Sequence, residues 1–178
     1  MYMGEIFKPG VPEKGNHMFC GQHSCRVTHD GYLYVFNNND CNMPDYPSIV
    51  MMQQPVSEKD TLKKIWEYTC APEEMNTESQ LDKTYKPSVK TDMPSLRRAG
   101  GNVMELPDGS IFASLCFPYA NVFIVNRDKK ILWNAIAEEW HAGENKWMPK
   151  SQYRASIITD PKDLERLIWN QEHTSSMQ

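Results

Sequence analysis

Residues 25–36 read CRVTHDGYLYVF, with Asp30-Gly31 set between two runs that are rich in β-branched and aromatic residues. An Asp-Gly pair tolerates the positive φ angles of a tight turn, and the flanking runs suit extended backbone. The stretch therefore predicts a hairpin of two antiparallel strands, Cys25–Thr28 and Tyr32–Phe36.

This hairpin signal recurs along the chain. The other predicted strand pairs are Ser48–Gln53 with Leu62–Tyr68, Asn102–Leu106 with Ser110–Cys116 around Pro107-Asp108-Gly109, and Asn121–Asn126 with Lys130–Asn134. The last strand of each unit carries an aliphatic residue before Trp, at Ile65-Trp66 and Leu132-Trp133. Two tandem four-stranded units, 21–68 and 100–135, predict an all-β partial β-propeller of about two to three antiparallel blades. Two unrelated hairpin pairs in a sandwich are the alternative.

The rest of the chain contributes a loop, a strand and a helix to this single predicted domain of residues 1–178. Residues 69–99 are rich in Pro, Lys, Glu, Ser and Thr and predict a long polar loop. Residues 152–159 predict a further strand. Asp160 suits a helix N-cap and Pro161 the first helical position, so a short C-terminal helix is expected over 161–171.

Composition excludes several classes of protein. Of the 178 residues, 40% are hydrophobic and 24% charged, which is typical of a globular domain. The net charge of −4 argues against a nucleic-acid partner. No apolar run is long enough to span a membrane, and Met1–Gly10 does not have the pattern of a signal peptide. The cellular location stays open.

The five cysteines are expected to be reduced by default, with a Cys20–Cys25 or Cys20–Cys41 disulfide as the alternative for an exported protein. Three kinds of chemistry fit the polar cluster at 16–26. Zinc would need ligands such as His17, Cys20, His23 and Cys25, but the spacing matches no standard zinc motif. Alternatively, Cys25 would act as a nucleophile with His23 as its base, since both are expected on one strand face. The third hypothesis is anion binding by His23 and Arg26.

Several segments, taken in order, resemble bacterial arylsulfotransferases (aryl-sulfate sulfotransferases). They are Gln22-His23-Ser24-Cys25-Arg26 with Asp30-Gly31 and Phe36-Asn37-Asn38, then Ile65-Trp66-Glu67-Tyr68, then Gly100-Gly101-Asn102 with Leu106-Pro107-Asp108-Gly109, and finally Gln152-Tyr153-Arg154-Ala155. The resemblance covers about residues 21–158, the C-terminal portion of such a protein.

The resemblance implies a six-bladed propeller that moves a sulfuryl group from an aryl sulfate to a phenol, with no cofactor. In that family a central histidine accepts the group covalently. By position, His23 corresponds to a sulfate-binding histidine, Arg26 and Arg154 to the motif's arginines, and Gln152 to the nucleophile. Because a carboxamide cannot replace a nucleophilic histidine, we expect impaired transfer. The alternative is a non-catalytic propeller module that binds a ligand or a protein.

Two or three blades do not close a ring. We therefore expect this chain to pair with a complementary chain or to form a homo-oligomer.

Overall fold

A computed structural model of this chain describes residues 20–39, 46–57, 62–71, 100–116, 121–150 and 152–166. Within these ranges, the regular structure consists of ten β-strands in three antiparallel sheets and one short helix. The strands are β1 (Gln22–Val27), β2 (Leu33–Asn37), β3 (Ser48–Gln53), β4 (Lys63–Thr69), β5 (Asn102–Glu105), β6 (Ile111–Ser114), β7 (Asn121–Val125), β8 (Ile131–Ile136), β9 (Glu138–His141) and β10 (Lys146–Pro149).

The strands pair in chain order. The first sheet is β1-β2-β3-β4, the second sheet is β5-β6-β7-β8, and β9 and β10 form a separate hairpin. All neighbouring strands are antiparallel. The predicted all-β class and the two four-stranded units are thus confirmed, and no sheet closes on itself within the described residues.

The Asp-Gly turns form as the sequence predicts. Gly31 and Gly109 have φ angles of +89° and +80°, which residues with a Cβ rarely adopt. Gly31 N–H donates to the carbonyl of Thr28 over 3.0 Å, and Gly109 N–H donates to that of Leu106 over 2.9 Å. These bonds fix the register of β1 with β2 and of β5 with β6.

The aliphatic-Trp motif marks a β-bulge that the two sheets share. In the first sheet the register shifts after the Met51–Trp66 pair, which leaves Ile65 as the extra residue of β4. In the second sheet it shifts after the Ile124–Trp133 pair, which leaves Leu132 as the extra residue of β8. The two sheets therefore share their strand order and the position of this bulge, with Trp66 of the first sheet at the place of Trp133 in the second.

The main core lies between the two sheets. The inner face of the first sheet contributes Tyr34, Phe36, Ile49, Met51 and Tyr68, and that of the second sheet contributes Val103, Ile111, Ala113, Phe123 and Val125. A smaller cluster on the outer face of the first sheet consists of Leu33, Val35, Val50 and Met52. Burial of these apolar side chains is the main force that holds the sheets together.

Polar contacts fix how one sheet lies on the other. Trp66 Nε1 donates to the carbonyl of Arg127 over 2.7 Å, so the last strand of the first sheet is tied to the last turn of the second. The backbone N–H of Glu105 donates to the Tyr34 hydroxyl over 2.8 Å. Burial raises the pKa of Tyr34, whereas this hydrogen bond, which its oxygen accepts, acts in the opposite direction.

The C-terminal region differs from its prediction. Residues 152–160 are irregular, so the predicted strand at 152–159 is wrong; its polar backbone groups bond to the start of β5 instead. Residues 161–166 are helical, and Asp160 caps them by accepting from Lys162 N–H over 2.9 Å. The rest of the predicted helix to Gln171, and the predicted polar loop beyond Ala71, lie outside the described residues.

The described cysteines are not all reduced. Cys20 is disulfide-bonded, so the expectation of fully reduced cysteines is wrong there. Cys25, Cys70 and Cys116 are not in disulfides, which excludes the Cys20–Cys25 pairing; Cys41, the other partner considered for Cys20, is not among the described residues.

In the part of the chain that the structure covers, no helix has the length and hydropathy needed to cross a bilayer.

Candidate functional site

A β-bulge in β1 determines which side chains reach the inner face of the first sheet. His23 pairs with Phe36 and Arg26 pairs with Tyr34, so one extra residue of β1 is accommodated between them. Ser24 takes a left-handed φ of 55° at this point. Without the bulge, His23 and Arg26 would point to opposite faces; with it, they share the face that carries Phe36.

This bulge corrects the expectation that His23 and Cys25 share a face. The shared face belongs to His23 and Arg26, so the hypothesis of a Cys25 nucleophile with a His23 base loses its geometric basis. The zinc hypothesis also fails, because the sulfur of Cys20 is in a disulfide and His17 lies outside the described residues. Within the ranges that the structure covers, no three His, Cys, Asp or Glu side chains are placed to hold a metal.

The C-terminal segment is fastened beside β5. Gly101 N–H donates to the carbonyl of Tyr153 over 2.9 Å. The Asn102 side chain then bonds both polar groups of the Ala155 backbone, donating to its carbonyl over 2.7 Å and accepting from its N–H over 3.0 Å. Three hydrogen bonds thus hold the segment that contains Gln152 and Arg154.

Two glycines make this close approach possible. A Cβ on Gly101 would lie 2.4 Å from Cε1 of Phe36, and one on Gly100 would lie 2.8 Å from the carbonyl oxygen of Tyr153. Both have positive φ angles, of +87° and +72° respectively. The absence of side chains at Gly100 and Gly101 therefore lets Tyr153 and Phe36 pack directly against the backbone.

Asn38 links the Gly100-Gly101 pair to the first sheet. Its side-chain amide donates to the carbonyl of Gly21 over 2.9 Å and to that of Gly100 over 3.0 Å. Asn38 is only 2% exposed, so these bonds satisfy a group that would be costly to bury unpaired. The residue fixes the start of β1 relative to the start of β5, where the candidate site lies.

The site itself is built around Tyr153. The His23 and Tyr153 rings meet edge to face, with centroids 6.1 Å apart and an interplanar angle of 86°. The guanidinium carbon of Arg154 lies 5.4 Å from the Tyr153 ring centroid, within the range of a cation–π contact. Tyr153 is 59% exposed and His23 is half-buried, so the three side chains form an open shelf.

The four residues predicted for the site are thus partly brought together. His23 and Arg154 come from distant parts of the sequence and both contact Tyr153, and Gln152 directly precedes it and is half-buried. Arg26 lies on the face of His23, two β2 positions or about 7 Å further along the strand direction, and is exposed.

Sequence reasoning assigned no role to Tyr153, Asn38 or the fit of Gly101 against Phe36. The Gly100-Gly101 pair was the available signal, since two adjacent glycines before a strand suggest a close backbone approach. The neighbouring Cys116 is half-buried, and burial raises the pKa of its thiol, which favours the unreactive protonated form.

Chemically, the shelf presents donors and an aromatic surface. The imidazole and the guanidinium supply N–H groups suited to an oxyanion, and the guanidinium is permanently charged. The half-exposed Tyr153 ring gives an aryl group something to pack against. Gln152 adds a neutral amide, which donates and accepts hydrogen bonds but is not a nucleophile.

Comparison with known proteins identifies no relative: no protein-family model, no curated protein and no solved structure matches this chain. The function must therefore be argued from the shelf and its chemistry.

Proposed function

We propose that this chain is a two-blade segment of an arylsulfotransferase-like β-propeller that binds aryl sulfates and does not transfer their sulfuryl group efficiently. The observation that carries the proposal is the meeting of His23 and Arg154 at the Tyr153 ring. By family resemblance, His23 corresponds to a sulfate-binding histidine and Arg154 to one of the motif's arginines, and both contact the same tyrosine ring.

The shelf matches both the sulfate group and the aryl ring of an aryl sulfate. The sulfate oxygens carry a single negative charge, which the Arg154 guanidinium and an imidazole N–H of His23 neutralise through hydrogen bonds. The aryl ring packs against Tyr153, which has enough exposed surface to receive it. An inorganic anion would use only the first half of this arrangement.

Transfer needs a nucleophilic imidazole in addition to His23, because this proposal assigns His23 to hold the sulfate oxygens. In the family reaction an imidazole nitrogen attacks sulfur, the sulfur–aryl oxygen bond breaks, and the phenolate leaves with the bonding electrons. At position 152 this chain has a carboxamide, whose nitrogen lone pair is delocalised into its carbonyl. The other histidines in the described residues lie elsewhere in the fold. His29 is in the turn that contacts Glu105, and His141 is in strand β9. Binding without turnover follows.

The propeller assignment draws support from the shared register of the two sheets. Two consecutive blades of a propeller are four-stranded meanders that pack face to face in equivalent register. Here both sheets have that order, and their last strands share a bulge before Trp66 and Trp133. Unrelated hairpin pairs would have no reason to share the bulge. The remaining blades, or a second copy, would then come from outside this chain.

The proposal is tested by restoring the missing nucleophile. The wild-type protein and the Gln152→His variant are incubated with 4-nitrophenyl sulfate, with and without phenol, while nitrophenolate release and intact protein mass are followed. We expect neither release nor a mass adduct from the wild type. We expect a sulfuryl adduct at position 152, and phenol-dependent release, in the variant.

Gln54→His is the matched control, because Gln54 is exposed and its amide contacts the Gly31 turn instead of the shelf. It should gain no adduct. A wild-type adduct would contradict the account of an inactive shelf. A folded Gln152→His variant that binds aryl sulfate and forms no adduct would show that position 152 is not the nucleophile position.

A further inference from the structure

Asn102 occupies the place in the second sheet that His23 occupies in the first. His23 pairs with Phe36 and Asn102 pairs with Ser114, and each partner lies five residues after the glycine of its Asp-Gly turn. The His23 imidazole contacts the shelf itself, whereas the Asn102 side chain bonds the backbone of Ala155 beside the shelf. One position of the repeat thus contributes a shelf residue in the first sheet and a support for the shelf in the second.

The Asn102 side chain matches both polar groups of the Ala155 backbone. Its amide nitrogen donates to the Ala155 carbonyl over 2.7 Å, and its oxygen accepts from the Ala155 N–H over 3.0 Å. Asn102 is only 6% exposed, so water has little access to replace either bond. Making both bonds requires one donor and one acceptor on the same short side chain, which asparagine offers and an ionised aspartate or an alanine does not.

These bonds are made although a polar group of the sheet lies nearby. Ser114 is the cross-strand neighbour of Asn102 on the same face and is completely buried. Its hydroxyl has no hydrogen-bond partner in the part of the chain that the structure describes, which is unusual for a buried polar group. The Asn102 amide is directed to Ala155 instead, so the side chain serves the C-terminal segment and not the sheet.

The C-terminal segment, residues 152–160, has little burial of its own to hold it. None of its residues is buried, and Tyr153 and Arg154 are both exposed. The third bond that ties the segment to the start of β5 runs from Gly101 N–H to the Tyr153 carbonyl. Elements with few buried contacts open at a low free energy, so the two bonds of Asn102 have a large share in keeping the segment in place.

We infer that Asn102 is a positioning residue of the shelf. By holding Ala155, it sets the Tyr153 ring and the Arg154 guanidinium next to His23, and it thereby determines the affinity for an aryl sulfate without touching that ligand. The inference rests on the proposed function where it concerns aryl sulfate. The placement of Tyr153 against His23 is tested without any ligand.

The test compares the wild type with Asn102→Ala in two measurements. One is a calorimetric titration with 4-nitrophenyl sulfate, and the other is the nuclear Overhauser contact between the His23 and Tyr153 rings in the ligand-free protein. In Asn102→Ala we expect the ring contact to be lost and binding to weaken roughly tenfold or more, because two of the three hydrogen bonds are removed. Circular dichroism establishes that each variant is folded.

The Asn102→Asp variant gives a signature that general damage to the fold would not. An ionised carboxylate accepts from the Ala155 N–H but repels the Ala155 carbonyl, whereas a protonated carboxyl offers one donor and one acceptor, as the amide does. Burial raises the pKa of a carboxyl, so we expect the ring contact, and the affinity relative to wild type at the same pH, to recover between about pH 7.5 and about pH 5. The ratio to wild type cancels the titration of the groups that both proteins share around the segment, which are His23, Cys116, Tyr153 and Arg154.

Ser114→Ala and Asn121→Asp are the matched controls. Ser114 is the buried neighbour of Asn102, and Asn121 is a buried asparagine of the same sheet whose amide donates to the side chain of Asn134. Both variants should keep the ring contact and the wild-type affinity.

A ring contact that persists in folded Asn102→Ala, or one that does not return in Asn102→Asp at low pH, would overturn the inference, as would its absence from the wild type. A wild type that has the ring contact and binds no aryl sulfate would refute the proposed ligand. In that case, the ring contact in the two Asn102 variants still decides whether Asn102 positions Tyr153.

Discussion

The carboxylate of Glu105 accepts a hydrogen bond from the backbone N–H of His29 over 2.7 Å, and this bond joins the first turn of one sheet to the first strand of the other. The same carboxylate accepts from Nη2 of Arg127 over 2.8 Å, and the His29 imidazole lies 3.1 Å away. The Glu105 side chain is only 6% exposed. It is therefore the polar centre of the contact between the sheets.

Replacing Glu105 by alanine is expected to destabilise the protein. The change removes the acceptor of Arg127 and of the His29 N–H, but Arg127 is 32% exposed and His29 is 73% exposed, so water replaces part of the loss and we expect a cost of about 1–2 kcal/mol. Urea unfolding measures the difference. Glu67→Ala is the control, because Glu67 pairs with Lys64 at a more exposed place, where about 0.5 kcal/mol or less is expected. Equal losses in the two variants would refute the central role of Glu105.

Gly101→Ala should lower stability and weaken the shelf. The added Cβ would collide with Phe36 and carry the strain of a positive φ, whereas Gly109→Ala carries similar strain with nothing within 4 Å. The strain costs about 1–2 kcal/mol in both variants, and the collision adds roughly 1–3 kcal/mol in Gly101→Ala. Denaturant midpoints give the comparison. Equal losses of stability in the two variants would show that Gly101 does not pack tightly against Phe36.

The thiols of Cys25 and Cys116 should differ in reactivity. Cys25 is exposed, whereas burial raises the pKa of the Cys116 thiol, so less of it is thiolate near neutral pH. We expect iodoacetamide to label Cys25 first at pH 7.5 and Cys116 to catch up as the pH rises, with peptide mass spectrometry as the readout. Faster labelling of Cys116 at neutral pH would contradict its burial.

Tyr153→Leu separates the two halves of the proposed ligand site. Leucine keeps an apolar side chain but loses the aromatic face, so aryl sulfate should bind several-fold more weakly, while inorganic sulfate should bind about as before. Competition titrations of the two anions measure this. A parallel loss of both would mean that Tyr153 acts only by positioning Arg154.

The sequence predicts the strands well because their signals are local. Asp30-Gly31 and Asp108-Gly109 define turns through residues a few positions apart, and runs rich in β-branched and aromatic residues define the strands. The bulge at Ser24 has no such signal, since serine is not a usual residue for a left-handed φ. That bulge reverses the faces of Cys25 and Arg26, so the expected pairing of His23 with Cys25 failed.

The C-terminal segment is a second place where local sequence signals do not determine the structure. Residues 152–159 have the composition of a strand, and their backbone groups are indeed paired, but with Gly101 and the side chain of Asn102 instead of a complete strand ladder. Resemblance suggested that His23 and Arg154 belong to one site. Their shared contact with Tyr153 depends on the path of the chain across Gly100-Gly101, which local patterns do not determine.

The most direct measurement of the central claim is a calorimetric titration of the protein with 4-nitrophenyl sulfate, repeated for His23→Gln, Arg154→Gln and the exposed helix control Arg166→Gln. The account predicts saturable one-site binding to the wild type and to Arg166→Gln. It also predicts a loss of roughly tenfold or more in each shelf variant, as expected for a charge-assisted hydrogen bond. Absence of binding to the folded wild type, or binding that ignores both His23 and Arg154, would contradict it.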